Sequence, residues 1–108
     1  MKTTVNAAGM PVLILHNDRG LWQRQTARAM NWYSARGRVP MLVIYRPVTR
    51  EYPGRWVARL WVTLPTPRPT RRVLLHDNLD ALRDMLPVGL TLLVRAPQDS
   101  PEIEEVWL

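Results

Sequence analysis

The chain has 108 residues, 46% of them apolar and 22% charged, which is the ordinary composition of one globular domain. It contains no cysteine, so disulfide scaffolds, thiolate-bound zinc, iron–sulfur clusters and thiol catalysis are excluded. The formal net charge is +6, but residues 1–72 hold 13 Lys or Arg and 2 Asp or Glu, whereas residues 73–108 hold 2 and 7. This asymmetry indicates an anionic partner for the first part, or an acidic second part that folds back beside it.

No segment reaches the roughly 18 apolar residues of a membrane span, and the apolar run 11–15 is too short for a signal-peptide core. We therefore expect a soluble, cytoplasmic protein without a membrane partner. Residues 1–10 are mostly small and polar and are predicted to be a flexible N-terminal tail. Residues 11–108 are predicted to form a single α+β domain.

The domain begins with an apolar run over residues 11–16, which predicts a first strand. Residues 19–36 then fit one amphipathic helix, with Asn17 or Asp18 as N-cap and Gly37 just past its end. The positions on one side of that helix, predicted to face the core, are Trp22, Thr26, Ala29, Met30 and Tyr33.

Residues 55–64 alternate strictly and predict a long strand at the centre of the sheet. One face is wholly apolar and is predicted to lie on a core, whereas the other carries Arg59 and Trp61 and is predicted to be partly covered. A buried strand over residues 41–45, opened by Pro40, precedes it.

Prolines at every second position of residues 64–70 predict an extended connection that cannot be a ladder strand. A strand over residues 71–76, antiparallel to the central one, follows it. Asp77 or Asn78 is predicted to cap a short helix ending near Leu86.

Two more strands, over residues 90–95 and 103–108, complete the order β-α-β-β-β-α-β-β. This order predicts an α+β fold with a mainly antiparallel sheet and two helices packed on one face.

The inventory of catalytic groups is small, and we predict no enzyme activity, no cofactor and no metal site. His16 and His76 each end an apolar run and precede an Asn/Asp pair. If their strands were neighbours, the two corners could form a His–Asp acid–base or metal site. The alternative is that His, Asn and Asp are ordinary residues at strand-to-helix corners. The isolated glycines match no phosphate-binding loop.

Arginine suits phosphate, and aromatic side chains interleaved with arginines could stack on bases. The aromatic residues in question are Trp32, Tyr33, Tyr45, Tyr52 and Trp61. Trp107 near the C-terminus is predicted either to clamp the last strand or to anchor a partner. The predicted residues for binding nucleic acid or a partner are Arg24, Arg28, Arg36, Arg38, Arg46, Arg50, Arg59, Trp61 and Trp107.

The sequence thus predicts a basic, non-catalytic binding domain, and the first hypothesis is a protein-interaction or regulatory module that engages a protein partner or a second copy of itself. The alternative is a nucleic-acid-binding domain that uses the arginine-rich helix and adjacent strands, and a remote alternative is a small enzyme with a His/Asp site. Arginines gathered on one open face would favour nucleic acid, whereas arginines interleaved with the C-terminal acids would favour a protein partner.

Overall fold

The computed structural model describes residues 2–5, 11–14, 19–93, 95–96 and 99–108. The described chain is an α+β fold, as the sequence predicted. Its elements in chain order are β1 (Lys2–Val5), β2 (Pro11–Ile14), α1 (Arg19–Ser34), β3 (Pro40–Tyr45), β4 (Trp56–Val62), β5 (Arg68–His76), α2 (Leu79–Asp84), β6 (Leu92–Leu93) and β7 (Ile103–Trp107).

The strands form one sheet in the order β1-β2-β5-β4-β3-β7-β6. Among the five strands from β5 to β6 every neighbouring pair is antiparallel, so the mainly antiparallel sheet is confirmed. The antiparallel pair of β1 and β2 extends this sheet, because β2 lies parallel to β5 with Leu13 opposite Arg72. The strand predicted to be central, β4, lies in the middle of the order.

Both helices pack on one face of the sheet, as predicted. Alternate residues of three strands point towards them, including Leu42, Leu60 and Leu74, which are at most 1% exposed. From α1, Trp22 and Met30 complete this core, and their separation of eight residues places them on one helix face. The buried residues that α2 contributes are Leu82, Met85 and Leu86.

The ends of the helices follow the local signals in the sequence. Gly37 has a φ of 75° and donates to the Ser34 carbonyl, while Arg38 donates to the Tyr33 carbonyl, so a Schellman turn ends α1. The Asn78 side chain caps α2 by accepting the Ala81 N–H at 3.0 Å. The caps predicted for α1 at residues 17–18 lie outside the described residues. In the part of the chain that is described, no helix is long and apolar enough to cross a membrane.

The N-terminal segment differs from the predicted tail. Lys2–Val5 is a strand whose residues pair with Pro11–Ile14. The residues Thr3, Thr4 and Val5 are β-branched, and such residues favour strands. The first predicted strand, 11–16, is observed over Pro11–Ile14, and residues 15–16 lie outside the described residues.

The prediction for the proline-rich segment was wrong at its C-terminal end. Strand β5 already begins at Arg68, and Pro69 is paired with Trp61 of β4. The register shifts just beyond this pair, where the Thr70 hydroxyl donates to the Leu60 carbonyl and accepts the Arg72 N–H. A proline is tolerated there because a bulge removes the need for its missing donor.

At the opposite edge of the sheet, β6 is shorter than the strand predicted over residues 90–95. Its two residues pair with Val106 and Trp107. The ladder continues for one more pair, because Thr91 and Leu108 exchange two backbone hydrogen bonds of 2.7 and 2.9 Å. Residue 94 lies outside the described residues.

Candidate functional site

The face of the sheet opposite the helices, called the open face here, carries its own small core. Val57, Val73 and Leu75 point to this side, and Tyr52 packs on them from the loop between β3 and β4. That loop, residues 46–55, is folded by internal hydrogen bonds, of which the Gly54 N–H to Pro47 carbonyl bond is 2.9 Å long. Tyr52 is therefore held in place and is only 8% exposed.

Beside Tyr52 the open face contains a pocket of about 190 Å³, called the open-face pocket. Its aromatic walls are Tyr45, Tyr52 and Trp61. Its charged lining residues are two arginines and two glutamates, namely Arg50, Arg59, Glu51 and Glu102. The formal charges of the lining therefore cancel.

Hydrogen bonds fix most polar groups of the open-face pocket. Trp61 Nε1 donates to the Tyr45 hydroxyl oxygen at 2.9 Å. The Arg59 side chain, 13% exposed, forms an ion pair of 3.2 Å with Glu51 and donates to the Thr70 carbonyl at 3.3 Å. None of these contacts involves the Tyr52 hydroxyl, which is buried and has no hydrogen-bond partner among the described residues.

Burial raises the pKa of both tyrosine phenols in this pocket, and the neighbouring Arg59 only partly offsets that effect. In Tyr45 the hydrogen bond from Trp61 also acts against the rise. Both phenols therefore carry their proton at neutral pH, and the Tyr52 hydroxyl can donate or accept a hydrogen bond.

Two arginines in the loop between β3 and β4 are paired with acids. Arg46 contacts Glu104 at 2.6 Å and Arg55 contacts Asp77 at 2.7 Å. Both pairs join the basic first part of the chain to its acidic second part. Of the predicted binding residues on the sheet, Arg46 and Arg59 are thus neutralised, whereas Arg50 lines the open-face pocket without an ion pair to any described residue.

Trp107 lies on the opposite face, at the edge of the main core. Its indole Nε1 donates to Glu105 at 3.1 Å, and Glu105, only 8% exposed, accepts hydrogen bonds from the Arg83 guanidinium of α2. This geometry matches the clamp that the sequence allowed for Trp107.

The outward side of α1 is different. Arg24, Arg28 and Trp32 are exposed at successive four-residue steps, and Arg36 follows with its guanidinium carbon 3.7 Å from the Trp32 ring centre. Tyr33 meets Trp32 edge to face, with ring centres 5.1 Å apart. Within the described residues, no carboxylate lies within ion-pairing distance of these three arginines.

Between α1 and β5 lies a shallow hollow of about 350 Å³, called the helix hollow. The residues that line it are Gln25, Arg28, Ala29, Trp32, Tyr33 and Arg72. Burial lowers the pKa of the Arg72 guanidinium, whose Nη1 is buried and lacks a hydrogen-bond partner among the described residues. The hollow is therefore positively charged, and none of its lining residues that the structure describes is acidic.

A third hollow, of about 480 Å³, lies between the end of α1 and the turn before β6. Val39, Val88 and Leu108 expose apolar surface around it. Among the described lining residues the one charged side chain is that of Arg38, another predicted binding residue, whose guanidinium donates to the Leu64 carbonyl at 3.0 Å. Asn31 and Ser34 are the other polar residues of this lining, and both are exposed at the surface.

At the second of the two histidine corners, both His76 and Asp77 are engaged in contacts within the protein. His76 Nδ1 accepts the Asn78 N–H at 3.1 Å, and Asp77 pairs with Arg55. His16 and Asp18 lie outside the described residues. Among those that are described, no three histidine, aspartate or glutamate side chains are grouped so as to hold a metal ion.

Several lining residues did not stand out in the sequence. Arg72 lies two residues before Leu74 on β5 and so points to the same face of the sheet, towards α1. Its charge at a core-facing strand position was the signal in the sequence that could have identified it. Glu51 and Glu102 reach the open-face pocket only because the loop and the start of β7 meet there. No spacing pattern in the sequence marks that meeting.

No protein-family model, curated protein sequence or solved structure matches the chain. An α+β architecture by itself does not imply a function, since one fold hosts many. The open-face pocket and the helix hollow are therefore the features from which function can be inferred.

Proposed function

We propose that the protein is a non-catalytic binding domain that recognises a segment of a protein partner in the open-face pocket. The observation that carries this proposal is the combination of three aromatic side chains, a charge-balanced lining and a buried Tyr52 hydroxyl that has no partner in the described part of the chain. Aromatic residues and arginine are the types most enriched where proteins bind one another.

The charge balance favours a protein segment over nucleic acid at this site. Arg59 is already neutralised by Glu51, and Glu102 would repel a phosphate group. A partner segment of mixed or neutral charge meets no such repulsion. The interleaving of Arg46 with Glu104 beside the pocket supports the same choice.

The volume of the pocket favours one inserted side chain. About 190 Å³ is below the roughly 300–1,000 Å³ of typical small-molecule sites. A side chain with an apolar body and a polar tip, such as tyrosine, would contact the aromatic walls and form a hydrogen bond with Tyr52. That bond would satisfy a buried hydroxyl for which the described residues provide no partner.

The polar groups near the pocket support a non-catalytic role. The raised pKa values of Tyr45 and Tyr52 keep both phenols protonated, so neither is poised as a base at neutral pH. Arg59 is engaged by Glu51 and a backbone carbonyl, which suits a rigid recognition surface.

Selection of displayed random peptides on the immobilised domain tests this proposal. We expect an enriched consensus containing a tyrosine-like residue, and weaker binding of that peptide to Tyr52→Phe, which lacks only the hydroxyl. Loss of one neutral hydrogen bond of about 0.5–1.5 kcal/mol corresponds to a weakening of about 2- to 13-fold. Tyr33→Phe, in the helix hollow, is the matched control and should bind normally.

Three results would contradict the proposal. Selection could yield no consensus, the consensus peptide could bind Tyr52→Phe as well as the wild type, or only acidic peptides could be enriched. A dimerisation equilibrium weakened by Tyr52→Phe in sedimentation experiments would instead identify a second copy of the chain as the occupant.

A further inference from the structure

The helix hollow is chemically unlike the open-face pocket and has no role in the function proposed above. It brings together an exposed indole, a second aromatic ring, a side-chain amide and two guanidinium groups. Trp32 is 52% exposed, although tryptophan has a large apolar side chain. An exposed aromatic ring with arginines beside it is suited to bind a ligand that is both planar and anionic.

We propose that the helix hollow and the arginines beside it bind single-stranded nucleic acid. Arg36 covers one side of the Trp32 ring at 3.7 Å, and a nucleobase would stack on the other. The volume of about 350 Å³ is large enough for a small planar ligand of this kind. Gln25 also lines the hollow, and a side-chain amide can both donate and accept hydrogen bonds with a base edge.

The phosphates would be held by Arg24, Arg28 and Arg72. Arg24 and Arg28 lie one helical turn apart on the exposed side of α1 and form no ion pair with any described carboxylate. Arg72 supplies a buried Nη1 donor without a partner among the described residues. Positive charges that are not neutralised within the protein fit a polyanion, and arginine binds phosphate with paired donors.

A single strand fits this surface better than a duplex. Bases in a duplex are stacked on one another, so their faces are not available to Trp32, whereas an unpaired base exposes its face. The side of α1 that carries the arginines also presents only one large apolar side chain, Trp32, which is little for insertion into a lipid surface.

Fluorescence polarisation of labelled oligothymidylate and oligouridylate, measured over a series of salt concentrations, tests the phosphate contacts. We expect binding that weakens with salt, and a variant with Arg24→Gln and Arg28→Gln whose log–log slope is shallower by about 1.4, since each lost phosphate contact removes about 0.7. The matched control, with Arg46→Gln and Arg55→Gln, removes two positive charges that are paired with acids and should retain the wild-type slope.

Trp32 tests the stacking contact. Trp32→Ala should weaken binding to either oligonucleotide by about 5- to 150-fold, since stacking of one base on an aromatic ring is worth about 1–3 kcal/mol. Trp32→Phe keeps an aromatic face and should retain most of the wild-type affinity. Circular dichroism and thermal melting of each variant verify that the domain remains folded.

Several outcomes would overturn the proposal. They are absence of binding at low salt, an equal loss in the two double arginine variants, equal binding of duplex and single strand, and full affinity in Trp32→Ala. Tighter binding to acidic peptides or to vesicles of anionic lipid than to the oligonucleotides would assign the surface to a different partner.

Discussion

The open-face pocket and the helix hollow contain the same kinds of residue and differ in their charge. Each has aromatic side chains and two arginines, but Glu51 and Glu102 balance the arginines of the pocket, whereas no acid is found among the described residues that line the hollow. The same chemistry therefore predicts a neutral peptide on one surface and a polyanion on the other. What an arginine can bind depends on whether the fold has already given it a carboxylate.

Sheet topology explains the difference. Because β7 pairs with β3, the acidic end of the chain lies beside Arg46, which directly follows β3, and Glu104 forms an ion pair with it. Glu102 reaches the open-face pocket from the same segment. The outward side of α1 faces away from the sheet, so these acids do not reach Arg24 or Arg28.

The largest expected effect separates a paired arginine from an unpaired one. Arg83→Ala leaves the Glu105 carboxylate buried without its guanidinium and should lower the free energy of unfolding by about 3 kcal/mol, at the low end for a broken buried pair because Arg83 is partly exposed. Arg28→Ala, at an exposed site, should change it by at most about 0.5 kcal/mol. Urea denaturation of both variants measures this. Equal stabilities of the two variants would mean that the Arg83–Glu105 pair does not stabilise the fold.

A smaller effect is expected for the tyrosine that supports the open-face pocket. Tyr45→Phe removes the acceptor of the Trp61 indole N–H and should cost about 1 kcal/mol of stability. Tyr33→Phe serves as the comparison in the helix hollow, because no hydrogen bond of its hydroxyl is observed among the described residues. If the two variants melted at the same temperature, the Trp61–Tyr45 hydrogen bond would contribute nothing to the pocket.

The exposed pair of Arg46 and Glu104 should contribute less. Their side chains are 44% and 30% exposed, so Glu104→Gln should cost about 0.2–1 kcal/mol at low ionic strength. The cost should shrink as salt is added, since salt screens exposed charges. A cost above this range that persisted in concentrated salt would show that the pair is shielded from solvent.

The smallest expected effect is on the dependence of stability on pH. Burial raises the pKa of Tyr45 and Tyr52 in the folded state above the ordinary value of about 10. The unfolded chain then loses these protons first, so their contribution is complete below about pH 10 and is lost as the pH rises through the folded pKa. A variant with Tyr45→Phe and Tyr52→Phe should lose stability less steeply above pH 10. An unchanged slope would contradict the burial of these phenols.

Local patterns in the sequence were enough for most of the fold. The alternation of residues 55–64 predicted the central strand, observed as β4, and Gly37 and Asn78 marked helix ends through their own backbone and side-chain chemistry. Pro69 was misjudged because its place in β5 depends on a bulge formed with β4, which local propensity does not reveal.

The charge balance of the two surfaces could not be predicted from the sequence, because it too depends on contacts between residues that are distant in the chain. Arg46 and Glu104 are 58 positions apart and meet only because β3 and β7 are neighbours. Arg72 lines the helix hollow only because α1 crosses the face of the sheet to which it points. The arginines themselves could be named in advance, whereas their partners depend on which strands lie side by side.

The most direct test of the separation between the two surfaces follows the indole N–H signals of the five tryptophans by NMR, assigned through single Trp→Phe variants. Addition of a short oligothymidylate should shift the Trp32 signal and leave Trp61, whose N–H is bonded to Tyr45, unchanged. A peptide selected on the domain should do the reverse. If the oligonucleotide moved Trp61 and not Trp32, the assignment of nucleic acid to the helix hollow and of protein to the open-face pocket would be wrong.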